Sequence, residues 1–223
     1  MPLAPARRIQ WNFRIVLCIA AITFLEYLAV QYYFSVSGAG VEAIKFAMRS
    51  TARFSFLIFF VVFCIGPAHK LWPNATTQAL MEWRRYIGVC FASVHSVHVW
   101  LIIFLFWVTP EIDLAANIPV PLYELLLGGG ALVLMYLMVA TSFDRVTKIV
   151  GMRNWRRLHV IGMYSIWAIF LFCFGEGYLS ATTEELRSRA PMGLSPVIYY
   201  HPFLILTLLP VVMRLWLLVR RRA

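Results

Sequence analysis

Long apolar stretches recur along this chain, separated by short polar segments that hold most of its charges. Each stretch has about 18–23 residues, close to the roughly 20 that an α-helix needs to cross about 30 Å of hydrocarbon. The pattern predicts six membrane-spanning helices, at residues 13–34, 52–69, 86–108, 121–141, 158–178 and 197–219. Because the connections are short, helices that are neighbours in sequence are expected to pack antiparallel. The predicted fold class is all-α: an integral membrane bundle of six transmembrane helices, with residues 1–223 forming a single domain.

The composition agrees with a lipid environment. Apolar residues make up 61% of the chain and charged residues only 13%, whereas a soluble domain is nearer one-half and one-quarter. The lipid bilayer is therefore the expected partner. The net charge of +10 could suggest nucleic acid, but the basic residues lie at the ends of apolar segments, so no nucleic acid partner is expected. Four cysteines lie inside apolar segments without CxxC spacing, as is typical of packing thiols.

Lys and Arg residues indicate the orientation. Fifteen of the 20 lie in the N-terminal arm, the 70–85 connection, the 142–157 connection and the C-terminal end. The other five, Lys45, Arg49, Arg53, Arg187 and Arg189, belong to the opposite side. Since cytoplasmic segments carry an excess of Lys and Arg, both termini are predicted to be cytoplasmic.

Ionisable side chains at membrane depth are costly and mark candidate functional sites. Glu26 lies in the first predicted span, either as a relay or ligand carboxylate or as a neutral acid hydrogen-bonded to another helix. His95 and His98 lie three residues apart on one face of the third span, about 16 and 21 Å above Arg84 by helical rise. Neutral imidazole at that depth is either a metal ligand or a hydrogen-bonded core residue.

The remaining histidines lie nearer the ends of the spans. His159 begins the fifth span, His69 closes the second and His201 opens the last. If the third and fifth spans start level, His98 and His159 differ in height by about 18 Å. Two imidazoles that share one iron each lie about 2 Å from it, so these two are not expected to hold the same metal. The residues level with His98 on the fifth span are Leu171 and Phe172, which are apolar.

Several motifs resemble the ferric-reductase-like transmembrane family. They are Arg84-Arg85-Tyr86-Ile87-Gly88 with His98 ten residues later, Thr141-Ser142 followed by Gly151 and Trp155-Arg156-Arg157-Leu158-His159, and the second span from Ser50 through Gly66-Pro67. The resemblance covers roughly residues 45–178. It is closest to small bacterial haem-binding membrane subunits of the methionine sulfoxide reductase type, which implies a location in the bacterial inner membrane.

The resemblance implies haem b held between the third and fifth spans, and electron transfer across or within the membrane. By motif position, His98 matches the family's histidine on the third span and His159 matches the first histidine of the fifth. Phe172 and Arg84 occupy positions where family members carry further histidines. His98 is the expected iron ligand, either alone, with His201 as a sixth ligand, or with His95 in its place.

Two functions follow from these expectations. The first is a membrane electron-transfer protein, an oxidoreductase subunit with no flavin or nicotinamide domain of its own, which receives electrons from a protein partner or a quinol. The second is a haem-free accessory subunit of a larger membrane complex, built on the same fold. A small-molecule transporter that uses Glu26 is a third alternative. No pattern typical of hydrolytic catalysis is present, so no catalytic residue is predicted.

Overall fold

A computed structural model of the protein describes residues 40–108, 122–180 and 196–220, together with Leu28 and Ser35. The described residues form six helices: α1 (Gly40–Leu71), α2 (Ala75–Val108), α3 (Leu122–Ala140), α4 (Asp144–Val150), α5 (Met152–Ser180) and α6 (Pro196–Arg220). The first predicted span, 13–34, lies outside this part of the chain except for Leu28, and so does Glu26. Four of the other predicted spans lie within α1, α2, α5 and α6, and the span predicted at 121–141 corresponds to α3, which is one residue shorter at each end.

Four of these helices are long and apolar enough to cross a membrane. The qualifying segments are Ala43–Leu71, Ala75–Leu105, Met152–Glu176 and His201–Arg220. In α3 the described apolar segment, Leu126–Ala140, is shorter. The all-helical fold class is therefore confirmed for the part of the chain that the structure describes, and the length and composition of these helices suit contact with lipid.

The helices extend beyond the predicted spans because their polar ends are helical too. α2 begins at Ala75, eleven residues before the apolar stretch, since Asn74 caps its first turn: the Thr77 amide donates to Asn74 Oδ1 (2.9 Å) and the Asn74 amide donates to Thr77 Oγ1 (3.1 Å). Most of the predicted connection at 142–157 is helical, because α4 occupies Asp144–Val150 and α5 already begins at Met152. Gly151, with φ 80°, then turns the chain into α5, a backbone conformation that glycine adopts without strain.

The chain divides into two compact units. The described parts of the first unit are residues 40–59 and 85–108, and those of the second are residues 60–84, 122–180 and 196–220. In the first unit, small residues recur every four positions along α1 and are buried there: Ala43, Ala47, Thr51 and Ser55. Short side chains at this spacing leave room for neighbouring side chains to approach the α1 backbone.

In the second unit, α5 packs against both α3 and α6. The indole Nε1 of Trp167 on α5 donates to the carbonyl of Thr207 on α6 (2.8 Å). Phe174 on α5 stacks on Phe203 of α6, with ring centroids 5.2 Å apart. On the α3 side, Gly162 of α5 faces Met138, where an added Cβ would lie 2.6 Å from the sulfur, so the Met138 side chain occupies the space that the glycine leaves.

In the same unit, Arg214 replaces a hydrogen-bond donor that α1 lacks because of Pro67. Pro67, inside α1, has no N–H to give to the carbonyl of Phe63, four residues earlier. The guanidinium of Arg214 on α6 supplies a donor instead: Nη2 lies 3.1 Å from Phe63 O, and Nη1 donates to Pro210 O (2.9 Å). Its Cζ also lies 3.8 Å from the centre of the Phe63 ring, a cation–π contact. Arg214 therefore fixes α6 to this part of α1.

We expect the contribution of Arg214 to stability to depend on Pro67. In a Pro67→Ala variant the new N–H can bond Phe63 O, so Arg214→Leu should cost about 1 kcal/mol less there than in the wild-type background. The free energy of moving a charged side chain out of the apolar region is common to both backgrounds and cancels in this comparison. The measurement is the free energy of unfolding by SDS titration in detergent micelles.

Arg220→Leu is the control, because Arg220 is exposed and its Nη1 lies 3.5 Å from Leu71 O. Its cost should be within about 0.5 kcal/mol of zero in both backgrounds. An Arg214→Leu cost that is the same with and without Pro67 would contradict the compensation.

Candidate functional site

The candidate site lies in the first unit, where His95 and His98 of α2 reach polar groups of α1. Their ring centroids are 5.3 Å apart, and both side chains are half-buried. Nδ1 of His98 lies 2.9 Å from the carbonyl oxygen of Met48 and 3.4 Å from Thr51 Oγ1. Nδ1 of His95 lies 3.1 Å from Ser55 Oγ. The structure therefore brings His95 and His98 together, each fixed to α1 through the same ring nitrogen.

Proton counting assigns the tautomer of His98. The carbonyl oxygen of Met48 can only accept, so His98 Nδ1 must carry the proton that it donates. The hydroxyl of Thr51 donates within its own helix, to Ala47 O (2.8 Å) and Met48 O (3.0 Å), and so it too can act only as an acceptor toward His98. In the neutral imidazole, Nε2 is then the nitrogen with the lone pair.

His95 follows by the same reasoning. When Ser55 Oγ gives its one proton to the carbonyl oxygen of Ala52 (2.8 Å), the proton of the hydrogen bond between Ser55 and His95 (3.1 Å) comes from His95 Nδ1. The His95 ring also stacks on Phe91 of its own helix, with centroids 5.5 Å apart, and Phe91 in turn packs against Phe59 of α1 at 5.3 Å. Both rings are therefore oriented by contacts with α1, and in His98 the lone pair lies on Nε2.

His159 has the opposite arrangement, in the second unit. Its Nε2 lies 3.3 Å from Thr141 Oγ1, and that hydroxyl donates its proton to Leu137 O at 2.7 Å. With the hydroxyl proton on Leu137 O, the proton of the hydrogen bond between Thr141 and His159 comes from His159 Nε2. The ring also packs against Trp155 in a tilted arrangement, with centroids 4.3 Å apart. In this arrangement Nε2 of His159 is engaged by protein, so His159 as a haem ligand stays a prediction that its local geometry does not favour.

The other residues singled out in the sequence are dispersed. His201 is half-buried at the start of the apolar part of α6, in the second unit. Phe172 is 41% exposed on α5, and Arg84 is half-buried on α2 within electrostatic range of Arg214. Near the connection between α1 and α2, Nδ1 of His69 lies 3.1 Å from Thr77 Oγ1. Among the described residues, no three His, Cys, Asp or Glu side chains converge on a point that could hold a metal ion.

The sequence did not single out the groups that orient the two imidazoles. The acceptors on α1 are a main-chain carbonyl and two small hydroxyl residues, Thr51 and Ser55. A signal for them was present, because Thr51 and Ser55 lie four residues apart and so on one face of a helix. Arg214 was counted only as an orienting charge. The sequence does not show that Arg214 lies close to the carbonyl of Phe63, because the two residues are on different helices.

Comparison with known proteins gives one distant relationship. Over 164 residues, which are 70% of this chain, the sequence is 27% identical to the magnetosome protein MamZ of Magnetospirillum gryphiswaldense. The match covers 24% of that protein, so this chain corresponds to about a quarter of the relative's length. No protein-family model matches the chain, and no solved structure shows a significant match.

The tautomer assignment predicts the ring-nitrogen states of the haem-free protein. In ¹⁵N-histidine-labelled protein in micelles at neutral pH, His95 and His98 should carry the proton on Nδ1 and His159 should carry it on Nε2. Ring-nitrogen chemical shifts distinguish the two tautomers, and single His→Gln variants assign the signals. A His98 signal with its proton on Nε2 would contradict the hydrogen bond to Met48.

Proposed function

We propose that this protein is a membrane-embedded electron-transfer protein that carries one haem b, which His98 would hold through its Nε2. The hydrogen bond from His98 Nδ1 to the Met48 carbonyl (2.9 Å) is the observation that carries the proposal. Histidines that bind metals characteristically donate their other ring N–H to a carbonyl or carboxylate, which fixes the tautomer and the ring direction. His98 has this arrangement inside a helix that is apolar enough to cross a membrane.

The chemistry of the candidate site also suits a histidine that binds haem. Bound haem would supply a one-electron iron couple, and neutral imidazole is one of the axial ligands that sets its potential. The Met48 carbonyl and the Thr51 hydroxyl would hold the His98 ring in place, and donation to them makes Nε2 a better electron donor. His95, oriented alike one turn away, is the alternative ligand. His201 and His159 remain further candidates for a second axial position.

The wider proposal places the chain in the ferric-reductase-like transmembrane family, as a single domain of six spans with both termini cytoplasmic. The motifs between residues 45 and 178 support the family, and the distribution of Lys and Arg supports the orientation. A match to a bacterial protein supports a location in a bacterial inner membrane. Electrons would come from a protein partner or a membrane quinol.

A haem-free accessory subunit on the same fold is the second candidate. Two observations favour it: Phe172 and Arg84 stand where the family has histidines, and Nε2 of His159 is engaged by Thr141. Such a subunit would keep His95 and His98 as hydrogen-bonded packing residues between α1 and α2. It would act through assembly with other membrane proteins.

The absorption spectrum of the purified protein tests the first candidate. Protein produced with ample haem and purified in mild detergent should show Soret and α-bands that shift on reduction, with close to one haem per chain. His98→Ala should abolish the bands or change them, because it removes the axial nitrogen. His69→Ala is the matched control, since it deletes a histidine outside the site and should leave the spectrum unchanged.

A rescue keeps this test independent of folding. His98→Gly leaves a gap that free imidazole can enter, so added imidazole should restore the wild-type bands if His98 is the ligand. Wild-type protein that is monodisperse and free of haem would overturn the proposal and favour the accessory subunit. A His98→Ala spectrum identical to that of wild type would exclude His98 as the ligand.

The orientation is tested separately with reporter fusions. A fluorescent reporter that matures only in the cytoplasm should be active after Ala223, and also when inserted in the 142–157 connection. A periplasmic phosphatase reporter should be inactive at both positions and active when inserted in the 109–120 segment. Phosphatase activity at the C-terminus would reverse the proposed topology while leaving the haem proposal intact.

A further inference from the structure

An open groove runs along one face of α5 at its N-terminal end, in the second unit. It is lined by Met152, Arg153, Arg156, Arg157, Val160 and Ile161, all of them exposed. These positions are three and four residues apart, so they form one stripe along the helix. Nothing in the proposed electron-transfer function uses this stripe.

The end of the groove nearest the start of α5 is strongly basic. Three of its six lining residues are arginines on two successive helical turns, and no carboxylate is among them. The segment that leads into α5 is basic as well, with Arg145 and Lys148 exposed on α4, but neither of them lines the groove. Across residues 141–157 the sequence holds five basic residues and one acidic residue, Asp144. Planar guanidinium groups in this arrangement suit the oxygens of a phosphate, which they can bind in pairs.

The other end of the groove, formed by Val160 and Ile161, is apolar. Val160 and Ile161 are 50% and 58% exposed, and they lie about 6 Å of helical rise beyond Arg156 and Arg157. The same helix, from Met152 to Glu176, has the length and composition of a membrane span. The groove therefore passes from a cationic end to an apolar end along a helix that enters the bilayer, which is the chemical profile of a phospholipid headgroup followed by its acyl chain.

We propose that this groove binds an acidic phospholipid. The headgroup phosphate lies against Arg153, Arg156 and Arg157, and an acyl chain follows Val160 and Ile161 into the membrane. The exposed apolar residues of the adjoining segment, Phe143 and Ile149 at 61% and 84% exposure, place α4 at the surface of the same leaflet. Basic segments at this level attract anionic lipid, and the groove adds a defined position for one molecule. The inference holds whether or not the protein binds haem.

The test measures binding of fluorescent phosphatidylglycerol to the full-length protein in neutral detergent, with phosphatidylcholine as the reference lipid. Phosphatidylglycerol should bind more tightly than phosphatidylcholine. The groove variant Arg153→Gln/Arg156→Gln/Arg157→Gln should lose about 10- to 100-fold in affinity, as expected for three basic contacts. The control variant Lys70→Gln/Arg145→Gln/Lys148→Gln removes the same number of charges outside the groove and should lose only about 2- to 3-fold.

A second pair of measurements distinguishes a lipid from a free anion. Val160→Ser/Ile161→Ser should weaken binding of long-chain phosphatidylglycerol but leave binding of glycerophosphoglycerol, its headgroup without acyl chains, unchanged, because only an acyl chain contacts those residues. Inorganic phosphate at millimolar concentration should not displace the long-chain lipid. Equal losses in the groove and control variants, equal binding of the two lipids, or full displacement by phosphate would each overturn the proposal. Thermal unfolding of every variant in the same detergent confirms that the protein is folded.

Discussion

Hydrocarbon offers no hydrogen-bond partner, so every polar group inside an apolar helix must find one within the protein. The structure meets this constraint at its most polar points. Pro67 leaves the carbonyl of Phe63 without its helical donor, and Arg214 fills that role from α6. His98 places its Nδ1 proton on a carbonyl of α1, and Trp167 places its indole proton on a carbonyl of α6. In each case a side chain of one helix bonds the backbone of another, so satisfying the polar group also joins two helices.

The same constraint gives His95 and His98 a different hydrogen-bonding pattern from His159. Thr51, Ser55 and Thr141 each lie within hydrogen-bond distance of a carbonyl three or four residues earlier, and a hydroxyl that gives its proton to that carbonyl is an acceptor toward the imidazole. On α2 the acceptor meets Nδ1, so Nε2 keeps the lone pair. On α5 the acceptor meets Nε2 of His159. A threonine or serine one helix away thus decides which nitrogen a histidine can offer to a metal, and the difference follows from which side of the ring faces the hydroxyl.

Hydropathy predicted the placement of the described spans well, because burial in lipid depends on little else. It failed at the helix ends. Residues 75–85 and 152–157 include charged residues and were interpreted as connections, yet both segments are helical, the first after a cap at Asn74 and the second after the turn at Gly151. The candidate histidines were also found from sequence, since an imidazole in an apolar stretch stands out. The orientation of the two rings was not predicted from sequence. It depends on where Met48 of α1 lies relative to His98 of α2, and the spacing within one helix does not determine that. The first predicted span and Glu26 lie outside the described residues, so their predictions stand as made.

The arrangement of His98 also bears on the choice between the two proposed functions. A buried imidazole that serves only for packing is a costly choice, since a neutral ring has two nitrogens and each needs a partner. The Met48 carbonyl and the Thr51 hydroxyl both lie on the Nδ1 side. An accessory subunit without haem would gain stability by replacing His98 with an apolar residue of similar size. The chain instead keeps His98, with its Nδ1 directed toward α1. Iron would be a partner for Nε2 of His98 that offsets the cost of keeping the ring, and for this reason the electron-transfer proposal accounts for more of the His98 arrangement than the accessory one.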